Sequence, residues 1–210
     1  MLRIECNNLG KYYGKTEVFR KLLFHFDGSA CIGIGGANGS GKSTLLKCLS
    51  GLLRPSEGRV TWQQNGSALE MRSVRFYIGY AAPYIQLYKE LSVLENLLFV
   101  AQLRGHSEAP HMTHLLEFFD LSRLSGQEFG SLSSGQQQRV RLAGALVADP
   151  PILMLDEPGT NLDATGLALV AQLVDRQRAK GGMTFLASNR EEELALCDEL
   201  IMLNVASVQT

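Results

Sequence analysis

The 210-residue chain is poor in cysteine and carries almost no net charge. Its four cysteines lie far apart in the sequence and form no Cys-x-x-Cys pair: Cys6, Cys31, Cys48 and Cys197. This spacing argues against a cysteine metal site and fits reduced thiols that act as small buried hydrophobic side chains. Twenty lysines and arginines balance 21 aspartates and glutamates. We therefore expect no nucleic-acid partner, although a local basic patch is left open.

Long uncharged apolar runs are also missing. The N-terminal stretch "MLRIECNNLGKYYG" has no apolar signal-peptide segment, and no stretch approaches the roughly 20 residues needed to span a bilayer. We therefore expect a chain that is neither exported nor membrane-spanning. The composition is 45% hydrophobic, which supplies a sizeable core for one large domain or for a domain with an inserted sub-domain.

The first part of the chain alternates short apolar runs with glycine-containing turns, which is typical of strands. Three such runs predict an antiparallel start: "LRIECNN", "VFRKLLFHF" and "ACIGIG". A helix is expected after Lys42, because "STLLKCLSGLL" has helical spacing and a Gly-Leu-Leu-Arg-Pro exit. Gly58 to Asn65 and Arg75 to Tyr80 are predicted as further strands.

The middle of the chain has a helical pattern. Ser92 and Glu95 form a predicted capping box at the start of one helix, and "HMTHLLEFFDL" predicts a second. Between Ser92 and about Ala148 no convincing strand pattern occurs. We therefore expect a single domain over 1–210, with a helical sub-domain at about 92–148 inserted between core and antiparallel β parts at 1–91 and 149–210.

Strands and helices alternate in the last third. "ILMLDE" is a continuous apolar run, typical of a strand buried on both faces of a parallel sheet. A helix from Asp163 to Lys180 and the strands "MTFLAS" and "ELIMLN" are predicted to follow. The expected fold class is α/β, with a mainly parallel sheet covered by helices on both faces, an N-terminal antiparallel β sub-domain and the inserted helical sub-domain.

The stretch "GANGSGKST" matches the phosphate-loop pattern G-x-x-x-x-G-K-[ST] between a predicted strand and a predicted helix. Glycines let backbone N–H groups turn toward phosphate oxygens, and the helix N-terminus adds a positive dipole end. Lys42 would hold the β- and γ-phosphates, Ser43 would place its hydroxyl on Mg²⁺, and Thr44 would contact phosphate. The alternative is a glycine-rich turn with a surface lysine. The predicted nucleotide-binding residues are Gly36, Asn38, Gly39, Gly41, Lys42, Ser43 and Thr44.

The stretch "ILMLDEP" puts two carboxylates at the C-terminal end of a buried strand, where ligands bind in open α/β sheets. Asp156 suits a water ligand of Mg²⁺. Glu157 lies on the opposite side of the pleat and could polarise an attacking water. Alone, the same residues would fit an ordinary acidic strand end before a proline turn.

The stretch "SLSSGQQQRVRLAGALVADP" begins with hydroxyls and a glycine before an amphipathic helix. In one interpretation, Ser133 or Ser134 is an N-cap and Gln136 to Gln138 form a wet face. In the other, this second helix N-terminus meets a phosphate that a second subunit holds.

Together these stretches resemble the nucleotide-binding subunit of ATP-binding cassette (ABC) transporters, over nearly the whole chain. "GANGSGKST" is similar to the family's Walker A motif, "LSSGQ" to its signature, "ILMLDE" to its Walker B motif and "TNLD" to its D-loop, in the same order and spacing. The resemblance implies a P-loop NTPase core that uses ATP and Mg²⁺. It also implies head-to-tail closure on two MgATP molecules with a second copy of the chain or a paralogous ATPase subunit.

The family pattern assigns further roles. Tyr13 would stack on adenine, unless it is a core tyrosine at a strand edge. Asp163 of the D-loop would cross the dimer interface. Ser133 and Gly135 would contact the γ-phosphate held by the other subunit, and Ser134 stands where the family has one glycine of a pair. The signature residues expected to act in trans are Ser133, Ser134, Gly135 and Gln136.

Two positions depart from the family pattern. Pro83 stands where the Q-loop glutamine is usual, and Gln86 is the nearby candidate for a Mg²⁺ contact, unless it faces solvent. Asn189 stands at the position of the switch histidine. Its amide could donate to the γ-phosphate but could not take up a proton, and the alternative is that it caps the following helix. The catalytic residues implied by the resemblance are Glu157, Lys42 and Asn189.

The leading functional hypothesis is an ATPase subunit of an ABC transporter, cytoplasmic and peripheral on the inner face of the membrane. Separate membrane subunits would dock near 83–105, where Tyr84 and Tyr88 could be exposed. The alternative is that this stretch packs within the helical sub-domain. Because the chain ends soon after "ELIMLN", we expect the compact exporter class, which includes the cytochrome c maturation haem exporter.

One alternative is a non-transport ABC ATPase that acts on ribosomes, DNA or protein assemblies. Another is a nucleotide-binding gate with little hydrolysis.

Overall fold

The computed structural model describes residues 1–106, 111–162 and 164–204. Strands in these residues are β1 (Leu2–Tyr13), β2 (Thr16–Asp27), β3 (Cys31–Gly35), β4 (Glu57–Gln64), β5 (Ser67–Leu69), β6 (Ile78–Ala81), β7 (Ile152–Asp156), β8 (Met183–Ser188) and β9 (Glu199–Met202). The α-helices are α1 (Lys42–Leu49), α2 (Met71–Val74), α3 (Val93–Leu103), α4 (Met112–Phe118), α5 (Ser134–Leu146), α6 (Ala164–Ala179) and α7 (Glu191–Leu194).

The N-terminal strands form an antiparallel sheet in the order β2-β1-β4-β5. Along β1, every second side chain faces inward: Leu2, Ile4 and Cys6 are buried, as the two-residue period of a half-buried strand requires. The prediction of an antiparallel start is therefore confirmed for β1 and β2. It was wrong for "ACIGIG", because β3 pairs in parallel with β8 and β9. All residues of β3 are buried, which suits the interior of a parallel sheet.

The parallel sheet has the order β6-β7-β8-β3-β9. In β7, Ile152 and Met154 pack toward the antiparallel sheet, whereas Leu153 and Leu155 pack toward the helical side. Both faces of this strand are thus buried, as its continuous apolar run predicts. The α/β fold class, with one parallel and one antiparallel sheet, is confirmed.

The described residues between 93 and 146 form helices and short 3₁₀ turns. The predicted capping box of α3 is present: the Ser92 N–H donates to Glu95 Oε2 at 2.8 Å, and the Glu95 N–H donates to Ser92 Oγ at 3.2 Å. A second box caps α5, whose N-cap is Ser133. The predicted wet face is wrong at Gln138, because this side chain is buried and donates to the Pro158 carbonyl at 3.0 Å.

Two element boundaries differ from the predictions. The strand expected at Arg75 to Tyr80 begins only at Ile78, because Arg75–Tyr77 continue α2 as a 3₁₀ turn that leaves Phe76 exposed. The helix expected from Asp163 to Lys180 is α6, Ala164–Ala179. In the described ranges, no helix is long and apolar enough to cross a membrane.

Candidate functional site

The loop between β3 and α1 is shaped by glycines that have no room for a side chain. Gly36 has φ 145° and Gly41 has φ 100°, in the region that favours glycine. A Cβ on Gly41 would lie 2.4 Å from a methyl carbon of Val18 on β2. The loop is therefore held closely against the β1–β2 hairpin, and α1 begins directly after Gly41. Asn38 and Gly39 are exposed at the tip, and Ser43 and Thr44 lie half-buried in the first turn of α1.

Lys42 is buried at the base of this loop. Its ammonium donates to the carbonyl of Gly36 at 2.9 Å and to that of Ala37 at 3.2 Å. It also lies 3.3 Å from Glu157 Oε1. The motif lysine and the second carboxylate of the β7 end, which are 115 positions apart in the sequence, are thus direct neighbours in the fold.

The β7 end presents its carboxylates in two environments. Asp156 is buried, and burial raises the pKa of its carboxyl, an effect countered by the nearby Ser43 and Tyr84 hydroxyls and by Lys47 and Lys42. Neither hydroxyl completes a hydrogen bond to Asp156, and both Asp156 oxygens lack a hydrogen-bond partner among the described residues. A buried carboxylate in this state calls for a further positive group.

Glu157 adopts the left-handed conformation, with φ 48°. This conformation is unusual for a residue with a side chain, and strain of this kind is concentrated at functional sites. The Glu157 N–H donates to the Ala187 carbonyl of β8 at 2.8 Å, which holds the turn. The carboxylate is only partly exposed and stays beside Lys42.

Asn189 follows β8 directly and reaches the phosphate loop. Its amide Nδ2 donates to Asn38 Oδ1 at 3.1 Å. The alternative that Asn189 caps the next helix is wrong, because the N-cap of α7 is Arg190. Asn189 is exposed and therefore accessible to a ligand on the loop.

The loop after β6 differs from the expectation for Gln86. Pro83, Tyr84 and Gln86 are all exposed, and Tyr84 is the one of the three whose side chain approaches Asp156. The Tyr84 hydroxyl lies 2.7 Å from the Tyr80 hydroxyl. The prediction that Gln86 supplies the metal contact is therefore not supported by its placement, because its side chain points to solvent.

Tyr13 lies at the end of β1, on the same hairpin as Val18, which touches the phosphate loop. Its ring is 55% exposed, so the alternative of a core tyrosine is wrong. The Lys11 ammonium lies 5.2 Å from the ring centroid. The ring is free to stack on a planar group next to the loop.

The signature residues lie at the start of α5 and line an open cleft. Ser133 and Ser134 are exposed, and the Ser133 N–H donates to Gln136 Oε1 at 2.9 Å. Gly135 is close-packed, because a Cβ there would lie 3.0 Å from the Asn161 carbonyl. The cleft is lined by Asp120, Arg123, Leu124, Ser133, Ser134, Gly135, Gln136, Arg139, Asn161 and Leu162. Asp163, the predicted D-loop residue, lies outside the described residues.

Residues 19–160 match the family described as "ABC transporter". The chain belongs to this family. It is 35% identical to the cytochrome c biogenesis ATP-binding export protein CcmA of Agrobacterium fabrum, over 99% of this chain and 98% of that protein. A solved ATP-binding subunit of an ABC transporter superposes with a TM-score of 0.84 at 28% identity, covering 96% of this chain and 87% of that one. CbiO1 of Clostridium perfringens, part of the ABC transporter complex CbiONQ, gives 0.78 at 26% identity, covering 96% and 86%.

This ABC transporter chain also has site contacts that its motifs do not reveal. Gln138 joins the signature helix to Pro158, directly after Glu157. Arg190 donates to the Gly159 carbonyl at 3.3 Å and lies 3.5 Å from Glu193. Gln138 lies four residues before the buried Leu142 and seven before the buried Ala145, and this helical spacing is the signal that could have indicated an inward-facing amide.

Proposed function

We propose that the chain binds and hydrolyses MgATP as the motor subunit of an ABC transporter, in one domain divided at about 92–148. The observation that carries this proposal is the contact of Lys42 with both the phosphate loop and Glu157. A lysine held there would exchange its carbonyl partners for the β- and γ-phosphates of ATP. Such charge-assisted hydrogen bonds are stronger than neutral ones.

The Asp156 end of the site fits Mg²⁺. The buried Asp156 carboxylate has no hydrogen-bond partner among the described residues, and Ser43 faces it. Hard cations such as Mg²⁺ bind hydroxyl and carboxylate oxygens, usually with several waters. When bound, the ion would neutralise charge on the phosphates. In this proposal Ser43 holds it directly and Asp156 holds it through water.

Glu157 would orient and polarise the water that attacks the γ-phosphate. Its strained turn and its neighbour Lys42 fix the carboxylate at the strand end. A carboxylate acts in this way only when it lies within hydrogen-bond reach of the reacting water. Asn189, at the loop tip beside Asn38, would donate to the γ-phosphate and stabilise the charge that develops there.

Two subunits are proposed to close head to tail on two nucleotides. The phosphate loop and Tyr13 would bind one face of a nucleotide. Ser133 and Gly135 of the other subunit would then approach the γ-phosphate. The support is that the signature serines are exposed around an open cleft, with Ser133 bonded only locally to Gln136 among the described contacts.

Dimer formation is testable with Glu157→Gln, which should bind ATP without consuming it. Light scattering after gel filtration should show a dimer with MgATP and a monomer with MgADP. Ser133→Arg in the same background would place a long side chain in the cleft and should prevent the dimer while nucleotide binding remains. A monomer with MgATP at high protein concentration would contradict head-to-tail closure.

We further propose that separate membrane subunits bind a groove that meets the predicted docking stretch, 83–105, only at Leu103 and Arg104. Such binding would place the chain on the cytoplasmic face. Three large side chains rim this groove and are more than half exposed, namely Leu52, Phe76 and Leu103. Arg104 at its edge donates to the Ile78 carbonyl at 2.6 Å. An amphipathic helix could cover such a groove. The CbiO1 relative belongs to a multi-subunit transporter complex, which supports this proposal.

The groove can be tested by photo-crosslinking in membranes. A crosslinker introduced at Phe76 should capture an integral membrane protein, whereas one at Leu23, exposed on β2, should not. With the crosslinker kept at Phe76, Leu52→Glu on the same rim should abolish the capture and the stimulation of ATP turnover by that partner. Recovery of ribosomal or DNA-repair proteins alone would favour the non-transport alternative.

A further inference from the structure

The loop after β6 places a tyrosine beside the Mg²⁺ end of the site. Strands β6 and β7 run in parallel, with Tyr80 opposite Met154, so their C-terminal ends meet at one edge of the sheet. Asp156 ends β7 at this edge. Tyr84 comes only four residues after Tyr80 and folds back toward it.

Two neighbours contact the Tyr84 side chain, which is 45% exposed. Its hydroxyl lies 2.7 Å from that of Tyr80, and the Lys47 ammonium lies 4.1 Å from its ring centroid. Burial and the nearby Asp156 raise the pKa of Tyr84 to about 12, against the hydrogen bond from Tyr80. The hydroxyl is thus a neutral donor at physiological pH. Ser43 and Lys47 are four residues apart on α1, so one helix face supplies both the hydroxyl and the ammonium.

We propose that Tyr84 is a positioning residue: its hydroxyl, held by Tyr80, orients Asp156 and the water between Asp156 and the metal. This inference rests on the proposed MgATP site. A hydrogen-bonded chain from Tyr80 through Tyr84 to Asp156 would supply the outer-shell partner that a metal-binding carboxylate needs. Pro83 has no donor, and none of the described contacts joins Gln86 to Asp156, whereas Tyr84 lies close enough to affect its carboxyl.

The hydroxyl can be removed without disturbing the ring. Tyr84→Phe keeps the face on which Lys47 lies and deletes only the donor. We expect the apparent affinity of Mn²⁺ for the chain saturated with a non-hydrolysable ATP analogue, followed by electron paramagnetic resonance, to fall about threefold to tenfold. Tyr80→Phe should have a smaller effect in the same direction. Gln86→Ala should leave Mn²⁺ affinity within twofold of the unchanged chain.

Binding of the same analogue in EDTA separates the possible outcomes. Unchanged affinity in EDTA with weakened Mn²⁺ binding in Tyr84→Phe supports the positioning role. Equal Mn²⁺ affinities in the unchanged chain and in Tyr84→Phe overturn it, as does a loss confined to Gln86→Ala. A loss of analogue binding in EDTA by Tyr84→Phe also overturns it, because it would indicate general damage to the loop. Failure of the unchanged chain to bind the analogue would instead contradict the proposed function.

Discussion

The phosphate-loop edge and the signature cleft differ in how completely the single chain assembles them. At the phosphate-loop edge, Lys42 is buried and contacts two loop carbonyls and Glu157. At the signature cleft, Ser133 is exposed and exchanges hydrogen bonds with Gln136, one turn away at the start of the same helix. The groups of the phosphate-loop edge therefore contact one another. The serines of the signature cleft are instead exposed.

This difference indicates which of the two regions needs a second subunit to act on a nucleotide. In the proposed function, the phosphate-loop edge binds a nucleotide within one chain, whereas the cleft acts on a nucleotide held by the other subunit. Gln138 connects the two regions inside one chain, because it lies on the signature helix and donates to Pro158 beside Glu157. Loss of Lys42 at the edge should therefore weaken nucleotide binding by the monomer, whereas changes at the cleft should reduce turnover and leave nucleotide binding by the monomer unchanged.

The largest effect is expected for Lys42→Ala. Each charge-assisted hydrogen bond to a phosphate contributes about 1.5–3 kcal/mol, so ATP affinity should fall by roughly 100-fold or more. Calorimetric titration of the monomer would measure this loss. Lys15→Ala, at an exposed lysine of the β1–β2 turn, is the control and should bind normally. Comparable ATP affinities of Lys42→Ala and Lys15→Ala would contradict the proposed difference between the phosphate-loop edge and the signature cleft.

Ser133→Ala tests the cleft and has a matched control in the same molecule. Both Ser133 and Ser92 are N-caps of capping boxes, so either change to alanine should reduce the free energy of unfolding by about 1 kcal/mol. Only Ser133→Ala should also reduce turnover, by about tenfold if one donor to the γ-phosphate is lost. Monomer affinity for ATP should stay within twofold in both. Equal turnover of the two variants would argue against a role of Ser133 in trans.

Asn189→Ala should reduce kcat by about tenfold and leave ATP affinity nearly unchanged, because a donor that acts mainly on developing charge is removed. Steady-state phosphate release measures this. Glu191→Ala, exposed in the first turn of α7, is the control. Asn189→His should raise kcat and add a pH dependence near neutrality, since histidine titrates there. An unchanged kcat in Asn189→Ala would mean that Asn189, at the end of β8, has no role in hydrolysis.

Gln138→Ala should have the smallest effect. Loss of its buried hydrogen bond to Pro158 should reduce the free energy of unfolding by about 1 kcal/mol, measured in urea. Gln127→Ala changes an exposed amide and should stay within about 0.5 kcal/mol of the unchanged chain. Similar stability of both variants would mean that the amide does not tie the signature helix to the Glu157 turn.

The sequence predicts the α/β fold and the phosphate-loop edge well because their signals are local. The motif that contains Lys42 lies within nine residues, and the strand before Asp156 is a continuous apolar run. The contacts of Tyr84, Gln138 and Asn189 were not predictable in the same way. Asn189 meets Asn38 across 151 positions, and such distant contacts depend on strand order, which no local pattern contains.

Two predictions about strands were wrong for a related reason, namely the start of the strand at 75–80 and the sheet that contains "ACIGIG". Apolar residues at 75–80 fit a strand as well as a turn, and only the preceding α2 helix continues the chain into a 3₁₀ turn. Likewise "ACIGIG" has the composition of a strand in either sheet, and burial on both faces decides its parallel pairing.

The reaction proposed for this chain is ATP hydrolysis, with Glu157 orienting the water. Its most direct test is steady-state release of phosphate from MgATP by the purified chain, compared with Glu157→Gln. We predict measurable turnover that falls at least 100-fold in Glu157→Gln, on the order found when one preorganised catalytic group is lost, while ATP affinity remains within threefold. Equal turnover by the two forms, or no turnover by the unchanged chain with or without its membrane partner, would contradict the account.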